Sequence, residues 1–256
     1  MDSLTRSVQE YQPHHHREPI LNVPGVVLAT LGLLVGIHVV REYLLSEAQD
    51  TDLLLSLAFI PARYDSGLLG GVTLPGGAGA QVWSFFTYAL LHGSWMHLVV
   101  NSIWLLPFGS ALARRFGVLR FAAFMVVTAV AGAVAHLVTH SGEQSIVLGA
   151  SATVSGLMAG AMRFAFQRGG PLGFWRQTDD LAYRVPALPL SGVWRDPRVF
   201  AFIVVWFGLN IVFGLGSFSI SGEQAIAWQA HIGGFLAGLL LFGWFDPKPA
   251  VPANPY

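Results

Sequence analysis

Two apolar stretches of this chain each carry a residue able to do covalent chemistry. One is Leu148-Gly149-Ala150-Ser151-Ala152-Thr153-Val154-Ser155-Gly156, with a serine hydroxyl. The other is Ala230-His231-Ile232-Gly233-Gly234-Phe235-Leu236-Ala237-Gly238, with an imidazole. A titratable ring inside a membrane helix is costly, so it marks a functional site by default. A serine becomes a nucleophile when a base within hydrogen-bond reach takes its proton. The pair points to hydrolysis within a bilayer, with Ser151 attacking and His231 as the base.

The elements that must position this pair are membrane helices. Of 256 residues, 54% are hydrophobic and only 11% charged, against about 25% charged in soluble domains. The fold class expected is therefore an all-α membrane protein. Formal net charge is zero and no basic patch is present, so a nucleic-acid partner is excluded. With no cysteine, disulfides, thiolate metal sites and a cysteine nucleophile are excluded as well. All fourteen Asp and Glu residues fall in tails, loops or helix ends, which rules out a pair of intramembrane catalytic carboxylates. No HExxH motif occurs. Neither a metal nor a cofactor is expected, and a Ser-His dyad without an acid remains.

About 20 apolar residues cross a hydrocarbon core. Hydropathy places six spans at Val23–Leu45, Phe85–Leu112, Leu119–His140, Val147–Phe166, Val199–Phe218 and Ala225–Phe245. The second is long and begins as a loop or interfacial segment. Residues 1–22 read as a cytoplasmic N-terminal tail, 23–245 as one six-helix membrane domain and 246–256 as a cytoplasmic C-terminal tail. The first apolar run is long enough to span, and no cleavable signal peptide is read. Arg114, Arg115 and Arg120 follow the second span, and Arg168, Arg176, Arg184, Arg195 and Arg198 follow the fourth. Basic residues concentrate in cytoplasmic loops, so both termini are expected to be cytoplasmic. Segment 46–84 is then the longest outer loop, lying partly in the interface. Segment 167–198, with Trp175 and Trp194, rests on anionic headgroups.

With this orientation the fourth span enters from outside near Val147, which puts Ser151 about four residues, or roughly 6 Å, deep. The sixth enters near Ala225, which puts His231 roughly 9 Å deep. The second brings His92, His97 and Asn101 toward the same level. Gly149, Gly156 and Gly160 around Ser151, and Gly234 and Gly238 after His231, allow helix backbones to approach closely. A water-filled opening from the outer face is required as well.

Three ordered motifs resemble those of the rhomboid family of intramembrane serine proteases, over roughly residues 50–245. The first is His92-Gly93-Ser94-Trp95-Met96-His97-Leu98-Val99-Val100-Asn101, similar to the family's HxxxxHxxxN. The second is Gly149-Ala150-Ser151-Ala152, similar to GxSG. The third is Ala230-His231-Ile232-Gly233-Gly234-Phe235-Leu236-Ala237-Gly238, similar to AHxxGxxxG. The resemblance implies a six-transmembrane-helix rhomboid-like bundle. It also implies roles: Ser151 as nucleophile, His231 as general base and then acid, and His97, Asn101 and the Ser151 N–H as oxyanion hole. His92, Gly149, Gly234 and Gly238 would support them. The implied partners are single-pass membrane-protein substrates and lipids. Separately from the resemblance, the short tails and the lack of long soluble domains suit a bacterial inner membrane.

Two positions depart from the family pattern. Ala152 replaces the last glycine of GxSG, adding one methyl group. Ser155 stands where the family often has an aromatic residue stacked on the histidine. The imidazole is then held by other side chains or by a hydrogen bond from Ser155. The chief alternative function is a catalytically inactive rhomboid-like protein that binds membrane clients, and retention of Ser151 and His231 weighs against it. A small transporter is a further alternative, but neither an inverted repeat nor a membrane carboxylate supports it. His136 and His140, spaced i, i+4, read as interfacial or packing residues, and His38 likewise. Asn210 reads as a polar residue within a span that hydrogen-bonds a neighbour, and His14-His15-His16 as solvated tail.

Overall fold

A computed structural model describes residues 23–247 except 66, 68, 69, 71, 174–179 and 216–226. The expectations for the N-terminal tail, for Trp175 and Arg176, and for nearly all of the C-terminal tail lie outside the described residues.

Helix α1 (Gly25–Tyr43) starts after Pro24. Helix α2 (Glu47–Leu57) starts at a capping box, in which Ser46 and Gln49 each bond the other's backbone N–H. Helix α3 (Gly77–Thr87) packs back on α2. The Trp83 Nε1–H donates to Ser56 O at 2.9 Å, the Thr87 hydroxyl to Leu57 O at 2.6 Å, and the buried Arg63 to Leu55 O and Pro75 O. Segment 46–84, read from sequence as an outer loop, is therefore two helices cross-tied by hydrogen bonds.

Helix α4 (Trp95–Phe116) carries a π turn at Leu105–Gly109 that contains Pro107. Proline has no N–H to give an α ladder, and a π turn accommodates the gap. Helices α5 (Val118–Thr139), α6 (Ser151–Ala165), α7 (Pro197–Leu215) and α8 (Trp228–Phe245) follow. Asp196 opens α7 by accepting the N–H groups of Arg198 and Val199.

Two expected helix starts are corrected. The second span begins at Trp95 rather than Phe85, because residues 85–94 hold the end of α3, a 3-10 turn and an extended link. The fourth begins at Ser151 rather than Val147. Val147 pairs instead with Phe59 in an antiparallel bridge, through N–H···O bonds of 3.0 and 2.8 Å. Gly149 has φ +122°, outside any right-handed helix. Ser151 therefore stands at the helix start, not a turn inside it.

Helix α6 is the centre of the molecule, and every residue from Ala152 to Ala165 is buried. Helices α5 and α8 pack against it and each other. Side chains facing α6 include Leu98, Phe124, Phe235, Leu239 and Phe242, all within one apolar core. Among the described residues, α1, α4, α5 and α8 are long and apolar enough to cross a membrane. Their lipid-side positions, such as Leu33, Val99, Ile103, Val126 and Leu240, are exposed. Such a surface suits lipid rather than water, and the chain is an integral membrane protein. At ~1.5 Å per residue the buried α6 reaches only ~22 Å, short of the ~30 Å hydrocarbon core. Its first residue can therefore lie below a membrane surface.

At the end of the bundle away from Ser151, Arg115 grips the carboxylate of Asp246 with two bonds of 2.6 and 2.9 Å. The same guanidinium donates to Tyr183 O and Val185 O. This knot joins the end of α4, the segment before α7 and the end of α8.

Candidate active site

Helix α6 starts where the chain stops being extended. The first N–H to bond within the helix is that of Val154, to Ala150 O at 2.8 Å. The N–H groups of Ser151 and Ala152 precede the ladder and point out of a helix N-terminus, where partial positive charge accumulates. The Ser151 side chain sits at this end.

Helix α8 brings His231 to it. A Cβ built on Gly234 would run into the Ala152 carbonyl oxygen, and one on Gly238 into that of Gly156. Only glycine permits this approach. The outcome is an Oγ···Nε2 separation of 2.7 Å between Ser151 and His231. On the other side of the ring, Nδ1 lies 2.6 Å from Oδ1 of Asn210 on α7. Asn210 in turn donates Nδ2–H to Trp206 O at 2.8 Å. The sequence marked Asn210 only as a polar residue bonding some neighbour.

Helix α4 supplies the third side. Ser94 caps it by accepting the His97 N–H at 3.2 Å. This fixes the turn on which His97 stands. The His97 ring lies against Gly149, such that a Cβ there would be 2.6 Å from it. Asn101 is buried one turn below and donates one amide hydrogen to His97 O at 3.1 Å. An amide nitrogen carries two hydrogens, so the second is left for other work.

His92 lies behind, with its ring 5.1 Å from that of His97. It precedes the spanning helix. Burial, and then the neighbouring His97, pushes its pKa down to about 3. A neutral ring can accept a hydrogen bond, and His92 Nε2 meets the Ala150 N–H at 3.5 Å. Its carbonyl is held by Arg41, at 2.6 Å, and Arg41 also grips Asp50 through two bonds. The α1–α2 corner is thereby tied to the loop before α4.

Two sequence readings resolve differently. The Ser155 hydroxyl donates to Ser151 O at 2.7 Å, within its own helix, rather than to the imidazole. The Ala152 methyl has room because position 132 on α5 is glycine. A Cβ there would lie 2.5 Å from the Ala152 Cβ.

A separate cavity of about 400 Å³ is lined by His136, His140, Glu143, Val147, Trp228 and Gln229, among others. His136 and His140 stack at 4.4 Å, nearly parallel, and Gln229 meets His140 at 3.3 Å. Among the described residues no group of three or more metal-ligating side chains forms.

Comparison with known proteins agrees with these features. A rhomboid domain model matches residues 79–247. RHOMBOID-like protein 5 of Arabidopsis thaliana is 34% identical over 179 residues, covering 66% of this chain and 49% of that protein. Rhomboid protease GlpG of Enterobacter sp. (strain 638) is 26% identical, covering 69% and 54%. Rhomboid-like protease 3 of Toxoplasma gondii is 23% identical, covering 76% and 63%. The chain thus spans about half the length of the first of these relatives and under two-thirds of the last. The motifs on α4, α6 and α8 fall inside the matched region, more than half of the chain, and the chain belongs to the rhomboid family.

Proposed function

We propose that this protein is an intramembrane serine endopeptidase that cleaves single-pass transmembrane substrates with a Ser151–His231 dyad. The observation that carries the reading is the 2.7 Å separation between Ser151 Oγ and His231 Nε2 at the start of a buried helix.

The steps follow from that geometry. Ser151 Oγ attacks the scissile carbonyl carbon while its proton passes to His231 Nε2. The carbonyl oxygen becomes an oxyanion, stabilised by the Ser151 N–H at the helix N-terminus and by His97 and Asn101. His231 then gives its proton to the leaving amine, and an ester on Ser151 remains. Water then attacks this ester, losing a proton to His231. The new carboxylate product leaves as Ser151 recovers its hydrogen. His92, Gly149, Gly234 and Gly238 hold the parts in place.

In this reading α6 and α7 join the four long helices to complete a six-span domain over residues 23–245. Residues 1–22 and 246–256 are cytoplasmic tails, as the distribution of arginines supports. A bacterial inner membrane is the setting proposed; relatives occur in bacteria, as GlpG of Enterobacter and Klebsiella, and also in Arabidopsis thaliana.

The test compares wild type with Ser151→Ala in proteoliposomes, on a fluorogenic single-span helix. Cleavage by wild type alone is expected. Absence of cleavage by both, across several substrates, would sink the reading in favour of an inactive, client-binding protein.

A further inference from the structure

The His231 ring is held from behind by a neutral amide on another helix. We infer that Asn210 is a positioning residue: it fixes the tautomer and the orientation in which His231 can take the Ser151 proton. This deepens the proposed protease reading and rests on it.

The hydrogen positions follow from donor and acceptor chemistry. The Asn210 side chain faces two partners, Trp206 O at 2.8 Å and His231 Nδ1 at 2.6 Å. A carbonyl oxygen can only accept, so the amide NH2 must face Trp206 and Oδ1 must face the ring. The reversed amide would set two oxygens 2.8 Å apart. Facing an acceptor, Nδ1 carries the hydrogen. Nε2 is then the unprotonated nitrogen, and it is the atom 2.7 Å from Ser151 Oγ. The ring is thus poised as a base toward serine. The other tautomer would turn an N–H toward the hydroxyl and a lone pair toward Oδ1.

Asn210 is itself well placed for this. Trp206 and Asn210 lie one turn apart on α7, as do Phe235 and His231 on α8. Trp206 stacks on Phe235 with ring centroids 4.2 Å apart. The stack and the hydrogen bond form two rungs between the same helix faces, so the aromatic rung sets the register for the polar one. Being uncharged, the amide orients the ring without adding the charge a carboxylate would give the imidazolium. Among the described residues, the further titratable group acting on His231 is His97 of α4.

The experiment measures kcat, KM and the pH profile of the full chain in proteoliposomes, for wild type, Asn210→Leu, Asn210→Asp and Ser151→Ala. Leucine removes the acceptor. A kcat loss of ~10²-fold with little change in KM is expected, as for a misplaced catalytic group. Aspartate keeps the shape and the acceptor and adds a negative charge that favours the protonated ring. Its activity persists, and the acid limb of the profile moves up by about one pH unit or more. His97 is unchanged in both variants, so it cancels in the comparison. Wild-type rates in Asn210→Leu, or a wild-type profile in Asn210→Asp, would overturn the inference. If Asn210→Leu does not fold, Asn210→Asp alone decides. Cleavage that survives Ser151→Ala has a different signature: it removes the protease reading, and the positioning role with it.

Discussion

The His97 ring of α4 rests on Gly149, two residues before the serine, with no room for a methyl group between them. Gly149 also has φ +122°, a conformation that L side chains rarely adopt. Gly149→Ala is therefore strained twice, and it shifts either His97 or the turn that aims the Ser151 N–H. In the proposed protease reading, cleavage is expected to fall by about 10²–10³-fold, the cost of losing one oxyanion donor. Initial rates in proteoliposomes test this. Wild-type activity in a folded variant would remove His97 and this turn from the oxyanion site.

Ala152 and Gly132 make a matched pair. Gly132→Ala sets two methyl carbons 2.5 Å apart and also crowds Ala230 O and the Tyr88 hydroxyl, each at 2.9 Å. The single substitution is expected to destabilise by about 1–3 kcal/mol, the usual range for overpacking. Adding Ala152→Gly should recover about 1 kcal/mol of that, and residues in contact couple on this scale. A double-mutant cycle on detergent-solubilised protein reads the coupling. Strict additivity would show that the methyl at 152 has another host.

Arg115 and Asp246 join three segments on the side of the bundle away from the dyad. Arg115→Ala strands a carboxylate and frees two carbonyls, so a loss of about 3 kcal/mol is expected. Asp246 lies fifteen residues along α8 from His231, which is roughly 22 Å of helix. Cleavage below the melting temperature should therefore be retained. Thermal unfolding followed alongside cleavage separates the two effects, and loss of activity with stability intact would contradict the assignment.

Gly238→Val tests whether the α6–α8 crossing sets the dyad. The added side chain meets backbone of Gly156, which cannot rotate away. Loss of cleavage together with a lowered melting temperature is expected. Retained activity would mean that the helices can part without moving Ser151 from His231.

The juxtaposition of Ser151 and His231 was more legible in the sequence than the frame that holds them. Ser151 and His231 stood out together because both fall in apolar runs at similar expected depth, and their small neighbours announced close packing. The start of α6 was hidden, because Val147 to Ala150 are as apolar as the helix that follows and hydropathy is blind to a left-handed glycine. Helices α2 and α3 passed for loop because neither is long and apolar. The pair Ser46 and Gln49, three residues apart, was the readable mark of a helix start. Asn210 was visible as a polar residue in a span. Its partner was not, because the facing of α7 and α8 is a tertiary property. Trp206, one turn before it, was the available hint of an inward face.

At the α6–α8 crossing, Gly234 and Gly238 meet the carbonyls of Ala152 and Gly156 with nothing between. A contact made of main chain has no rotamers to exchange, so it behaves as a spacer of fixed gauge rather than as a spring. Forces from the surrounding lipid, whether from thickness, curvature or lateral pressure, then translate the two helices together. In the protease reading, the bilayer can tune how a substrate reaches the dyad, while the distance across which the proton moves stays insulated from it.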